Sequence, residues 1–311
     1  MMSENTAFFS AIDRLAADFS ALPWNFELDE RTHEVISRWL GGADEEVMVC
    51  VFKGNRIDER FHRQDFFFFN FALRNSYEAL SNGTDSRITV SEGDCYIGQP
   101  FSGYALKGER ENGMVILGVL IRREVFFREY FSTLAQGGAM FRFFLDAERR
   151  EFSDAALHFP LGKNNAAWRV LETMVVEYAD RKDDTQKVLK PLALALCMLL
   201  ARELRKIGSK SEKNVPLSEQ IADYISGGNT TKLADVARHF GYHPNYISSL
   251  LRKETGKTFS ELLLSARMEK AKLLLSGSTL SIEEIAAMLG YAGTSNFYKA
   301  YRAYYGKNPR G

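Results

Sequence analysis

The sequence predicts an α+β, multidomain chain: an N-terminal β-barrel followed by helices, then an all-α C-terminal domain. Three observations predict it. Short apolar runs alternate with turn residues from Glu46 to Ile121, the rhythm of antiparallel strands. From about Asn164 the apolar period changes to that of helices. Two segments near the carboxyl end then repeat one another. A chain of 311 residues is long enough for two such domains, each with a core of its own.

Taken in order, MMSENTAFFSAIDRLAADFS has neither a basic leader nor a continuous apolar segment, and its apolar residues recur at helical spacing. It does not read as a signal peptide. No apolar run approaches the length needed to span a bilayer, so no membrane partner is expected. Cys50, Cys95 and Cys197 form no metal-binding spacing and are odd in number, which suits reduced thiols and a cytoplasmic location. The runs VMVCVF, DFFFFNFAL, RITV, DCYIG and MVILGVLI read as strands, punctuated by SNGTDS and SEGD. Phe66 to Phe71 is mostly aromatic, and period-2 geometry sends alternate rings to opposite faces, so this strand should be covered on both. Residues 1–160 are assigned to this domain.

Residues 161–207 read as a helical region. Trp168, Leu171, Met174, Val175 and Tyr178 share one helix face. A second helix is expected to begin near Pro191, with Leu192, Leu196, Leu199 and Leu200 on one side and Leu194 and Met198 on others. A helix so apolar must be buried, against its own β-domain or partly against a second subunit, which makes a homodimer the expected assembly. Residues 208–214, GSKSEKN, are polar and read as a linker to residues 215–311.

The last region is helical throughout. Thr258 with Glu261, and Ser281 with Glu284, have the spacing of capping boxes, and Gly277 follows the apolar run ending at Leu275 as a C-cap residue would. Leu233 to Gly256 and Ile282 to Gly306 form the repeat. Val236-Ala237 followed by Gly241-Tyr242 returns 49 residues later as Ile285-Ala286 followed by Gly290-Tyr291. Helix, glycine turn and helix is the pattern of a helix-turn-helix.

The stretch from Leu289 to Gly306 carries six aromatic residues in eighteen, which raises the question of whether the rings are surface or scaffold. Phe297, Tyr301 and Tyr304 fall at i, i+4 and i+7, a stripe expected to face the core. Thr294, Ser295, Asn296, Lys299 and Arg302 then fall on the outside. In the first copy Ile247, Leu250 and Leu251 face in, leaving Asn245, Ser248, Ser249, Arg252 and Lys253 outside. Small polar residues early and cations late suit a helix that enters the major groove by its N-terminal half. Asn, Ser and Thr can bond base edges while Arg and Lys neutralise phosphates. Double-stranded DNA is the predicted partner. The net charge of zero hides an asymmetry in the same direction: residues 216–311 carry 12 basic and 8 acidic side chains against 28 and 32 in residues 1–215. Between the copies FSELLLSARMEKAKLLL predicts a helix about 26 Å long at 1.5 Å per residue. That length could set two recognition helices about one duplex turn, roughly 34 Å, apart.

With these residues in place, the C-terminal region resembles the AraC/XylS family of bacterial transcription regulators. Ile285-Ala286, Gly290-Tyr291, Asn296-Phe297, Gly306 and Pro309 carry the likeness, with Arg267, Ala271, Leu274 and Leu275 in the joining helix. The resemblance implies sequence-specific DNA binding by both motifs and promoter control, more often activation than repression, with RNA polymerase as a partner in that case. Family members usually continue past the proline, often to an aromatic-Arg pair, whereas this sequence stops at Gly311. More loosely, FHRQDFFFFNFAL and EGDCYIGQP are similar to the family's cupin-like effector domain. That likeness implies a small-molecule effector pocket and helices that dimerise. Alternation along the strand nominates Phe66, Phe68 and Asn70, with His62, Tyr96 and Tyr104 nearby, as effector-binding residues. A metal-binding cupin needs clustered histidines and a glutamate; His62 stands alone, with Gln64 where a second ligand would fall, so no metal or cofactor is expected. Control by a protein partner in place of a metabolite is the alternative. A cupin-type enzyme with an accessory DNA-binding domain is the rival of another class, but no paired carboxylates, P-loop, GxGxxG or nucleophile elbow supports catalysis.

Overall fold

The computed structural model describes residues 6–309, apart from 20, 23, 31, 82–85, 135–142, 144–154, 212–215, 228–231 and 278–279. It divides into two compact units, one formed by Met1–Val125 and Asp146–Leu204, the other by Phe126–Leu145 and Arg205–Gly311.

In the first unit, helix α1 (Thr6–Phe19) precedes strands β1 (Phe26–Asp29), β2 (Glu34–Ser37), β3 (Val47–Asp58), β4 (His62–Gln64), β5 (Phe66–Arg74), β6 (Tyr77–Ser81), β7 (Ser86–Val90), β8 (Cys95–Gly98) and β9 (Gly103–Arg122). Strand β10 (Ala156–Phe159) completes a ten-stranded sheet with the order β1-β2-β4-β9-β5-β8-β10. The 20-residue β9 is the spine, pairing along its length with β3, β4, β5 and β6. Among these pairs only β2 with β4 runs parallel. The fold class is therefore that predicted, an N-terminal sheet domain with helices and a C-terminal all-α domain. The β1–β2 hairpin and β10 were not read from the sequence. Most of the SNGTDS turn lies outside the described residues.

The aromatic strand is covered on both faces, as its composition requires: Phe66, Phe67, Phe68, Phe69 and Phe71 are all buried. Phe71 meets Trp168 at 5.4 Å on one side, while Phe68 meets Tyr104 at 4.3 Å on the other. Trp168 belongs to α4 (Ala166–Ala179), which starts at Asn165, whose side chain accepts from the Ala167 N–H. The predicted face of α4 is the buried one.

Helix α5 (Thr185–Ser211) corrects two expectations. It begins six residues before Pro191 and carries that proline inside, in its second turn, and it runs through Gly208 to Ser211 where a linker was expected. The rest of that linker, residues 212–214, lies outside the described residues. Leu189, Ala193, Leu196, Cys197 and Leu200 are buried, whereas Val188 and Met198 are exposed. The face assigned from sequence was rotated: Leu192 and Leu199 are only half-buried.

The second unit contains α6 (Leu217–Ser226), α7 (Leu233–Phe240), α8 (Pro244–Thr255), α9 (Phe259–Gly277), α10 (Ile282–Met288) and α11 (Thr294–Tyr305). Ile221, Ile225, Val236, Ala237, Ile247, Leu251 and Phe259 make one core around the first repeat. After β9 the chain forms α2 (Arg123–Val125), a π-helical turn (Phe126–Tyr130) and α3 (Phe131–Leu134). The π-helical turn packs on α9, with Phe126, Phe127 and Tyr130 buried, so this unit includes residues the sequence reading had assigned wholly to the β-domain.

Candidate nucleic-acid interface and interior cavity

The two repeats fold alike, down to the turn. Gly241 and Gly290 have φ of 73° and 77°, a left-handed conformation that a side chain resists. In the first copy the Tyr242 N–H donates to the Ala237 carbonyl at 2.9 Å; in the second, Tyr291 donates to Ala286 at 2.9 Å. The second helix of each repeat therefore leaves the first through the same hydrogen-bonded reversal. Helix α8 opens with Pro244 at its first turn and with His243 accepting from the Asn245 N–H. Helix α10 opens with a complete capping box of Ser281 and Glu284, and Thr258 with Glu261 makes the reciprocal bonds at the start of α9.

On α8, Ile247 and Leu251 are buried and Leu250 half-buried, while Asn245, Ser248, Ser249, Arg252 and Lys253 are exposed. On α11, Phe297 and Tyr301 are buried; Ser295, Asn296, Lys299 and Arg302 are exposed, and Thr294 is half-buried. The inner stripe departs from expectation at one place. Tyr304 is 41% exposed, its hydroxyl 3.0 Å from the Ser265 hydroxyl. Tyr305 takes the inner position, its ring tilted against Tyr301 at 4.7 Å and its hydroxyl donating to the Met268 carbonyl of α9. At about 100° per residue Tyr305 lies about 40° from Tyr301 on the side of the Met268 carbonyl, whereas Tyr304 lies about 60° to the other side. Arg302 is also more constrained than expected, with Nε and Nη2 both donating to Asn308 Oδ1 at 3.1 and 2.9 Å. Gly311 lies outside the described residues. Sequence reasoning missed Tyr242 and Tyr246, which stack at 5.0 Å and are 46% and 48% exposed beside Asn245.

The first unit holds an interior cavity of about 30 Å³ between α1, β3, β5 and β9. Of the predicted effector residues, Phe68, Asn70 and Tyr104 line it. His62 packs behind Tyr104 at 4.7 Å, Tyr96 lies 6.2 Å from Phe68, and Phe66 turns to Trp39 at 5.5 Å. Gly98 lets the Phe68 ring lie flat on β8, since a Cβ there would fall 2.0 Å from its Cζ. The residues missed were Glu59, Gln64, Phe19 and Trp24. Gln64 Nε2 donates to the Tyr104 hydroxyl at 2.6 Å, and its Oε1 is buried without a partner. Glu59 Oε2 accepts from the Leu106 N–H at 3.0 Å, and burial of the carboxyl pushes its pKa up to about 7. Burial lowers the pKa of His62, whose Nδ1 lies 2.8 Å from the Arg60 carbonyl. Among the described residues no group of three or more His, Cys, Asp or Glu could hold a metal.

A family profile described as a helix-turn-helix domain matches residues 236–311. The Msm operon regulatory protein of Streptococcus mutans serotype c is 32% identical over 134 residues, which cover 38% of this chain and 48% of that protein. The HTH-type transcriptional regulator YdeO of Escherichia coli is 45% identical over 69 residues, covering 21% and 27%. The chain thus spans about half or less of the length of these relatives. The crystal structure of apo ToxT from Vibrio cholerae aligns with 86% of this chain and 96% of its own at 17% identity and a TM-score of 0.38.

Proposed function

Because this chain belongs, through its tandem helix-turn-helix domain, to the AraC/XylS family of transcription regulators, we propose that it binds specific promoter DNA through α8 and α11 under control of a small molecule held by its N-terminal unit. The observation that carries the DNA reading is the shared geometry of the repeats. Each presents hydroxyl, amide and cationic side chains to solvent from a helix whose opposite face is core. Ser248, Ser249, Ser295, Asn245 and Asn296 would bond base edges, and Arg252, Lys253, Lys299 and Arg302 would meet phosphates. Thr294, half-buried at the start of α11, would steady the helix N-terminus against the backbone.

The cavity supports effector control in that it lies in the sheet domain and mixes apolar walls with a few polar groups. Exposed Val188 and Met198 on α5 favour pairing of two protomers through that helix. Activation would add contact with RNA polymerase. Selection of bound duplexes from random sequence is the test. The reading expects two motifs about 10 base pairs apart, each degraded by substitutions in one recognition helix. Binding with no sequence preference, or preference untouched by Ser248→Ala and Ser295→Ala, overturns it. For the effector, a metabolite library is screened for thermal stabilisation, which a ligand of the native state produces by mass action. A library that stabilises nothing overturns small-molecule control.

A further inference from the structure

We propose that the interior cavity is built for a small amine, bound as its ammonium ion between the Glu59 and Gln64 oxygens and the ring faces of Phe19, Trp24, Phe68 and Tyr104. This rests on the effector reading above and specifies the ligand's chemistry. The first observation is the charge of the walls. Fifteen residues line the cavity, and among them Glu59 alone carries a formal charge; none is Lys, Arg or His. A carboxylate or phosphate ligand would be stripped of water with no counter-ion to receive it.

The second observation is an excess of acceptors. Gln64 is 2% exposed, spends its amide N–H on Tyr104, and is left with an orphan Oε1. Glu59, also in the lining, uses one oxygen for the Leu106 N–H. A buried acceptor without a donor is costly, so the Gln64 oxygen calls for a ligand that brings an N–H. The third observation is the aromatic enclosure. Phe19, Trp24, Phe52, Phe68 and Tyr104 all line it, Phe19 edge-on to Trp24 at 5.5 Å and to Phe52 at 5.9 Å. Ring faces attract cations, most strongly where water is excluded. A neutral polyol would satisfy the acceptors but gain nothing from the rings or from the charge.

Burial that raises Glu59 fits the same picture, because a cationic ligand would restore the carboxylate that the walls alone disfavour. Lys107, whose charge acts on Glu59, is engaged with Asp58 and does not line the cavity. At about 30 Å³ the space admits one water-sized group, such as an ammonium head. A longer body enters by displacing the half-buried Phe19 and Trp24, which stand at the end of α1 and in the connection after it.

The test uses the full chain and three matched probes: n-propylammonium, its neutral counterpart propan-1-ol, and propionate, with methylammonium as a smaller cation. Calorimetric and thermal-shift titrations should show saturable binding of at least one cation, with the alcohol roughly tenfold weaker. Glu59→Gln keeps an acceptor for Leu106 and should weaken the cation roughly tenfold while leaving the alcohol unchanged. Trp24→Leu, on the half-buried roof, supplies a second variant if Glu59→Gln does not fold, and should likewise weaken the cation selectively. Equal binding of cation and alcohol, binding of the carboxylate, or indifference to both variants overturns the amine assignment while the effector reading survives. Silence of both cations also overturns it. Whether the effector reading falls too is then decided by the library: a stabilising compound whose effect is lost on Asn70→Leu, a change of similar volume in the cavity lining, keeps it.

Discussion

Residues on the outer faces of α8 and α11 differ in what each can do for binding. Lys299 is exposed and on the proposed phosphate side. Lys299→Ala should weaken binding to any duplex and lower the dependence of log affinity on log salt by about one unit, measured by fluorescence anisotropy over a salt series. Arg302 is held by Asn308, so its guanidinium is presented in one orientation. Asn308→Ala should therefore reduce affinity less than Arg302→Ala does, while leaving the salt slope intact. Ser248→Ala removes no charge and should alter base preference at one position, not the slope. The identity of these outward residues was legible in the sequence, because buried apolar positions at helical spacing fix the opposite face. The Arg302–Asn308 bond was not, since it depends on how the chain turns after Gly306.

Elements are held by their caps and by the aromatic stripe of α11. Tyr301 is 4% exposed and touches Phe297 and Tyr305. Tyr301→Ala should destabilise the second helix-turn-helix by roughly 3–5 kcal/mol, whereas Tyr304→Ala, on the exposed side, should cost well under half of that. Urea unfolding followed by circular dichroism separates them. If Tyr304→Ala proves the more damaging, the inner face has been misassigned. The caps carry a pH signature. The Glu284 carboxylate accepts from the Ser281 N–H and hydroxyl, and Glu261 accepts likewise from Thr258, and both pKa values are lowered. A lowered carboxyl pKa adds stability above the ordinary value near 4.5 and loses it as pH falls through the folded value. Helix content at α9 and α10 should thus decline in acid, and Glu284→Gln should flatten that decline. Capping boxes are local in sequence, which is why Thr258/Glu261 and Ser281/Glu284 were readable in advance. Helix α5 was misjudged at both ends because packing, not local preference, decides: Pro191 is tolerated inside a helix whose buried residues lie on the far side of it.

At the scale of the whole molecule, the class of fold followed from periodicity, whereas the cavity did not. Phe68 and Asn70 were found because alternation puts i and i+2 on one face, although Phe66, two residues earlier, turns to Trp39. Glu59 and Trp24 were not, because nothing local tells a surface carboxylate at the end of β3 from one turned inward, and Trp24 reaches the cavity only through the tertiary course of the chain after α1. The inward carboxyl makes the stability of the first unit depend on pH in the direction opposite to the caps. Its pKa is raised to about 7 from 4.5, so the folded chain holds this proton where the unfolded chain has lost it. The contribution is complete below the unfolded value and disappears as pH rises through about 7. The thermal midpoint of the sheet domain should therefore fall between pH 5 and pH 8 in native protein, and Glu59→Gln, neutral throughout, should remove most of that fall. Differential scanning calorimetry across the range measures it. A midpoint equally pH-dependent in both proteins would mean that Glu59 is solvated when folded, and the acceptor-lined cavity would lose its only charge.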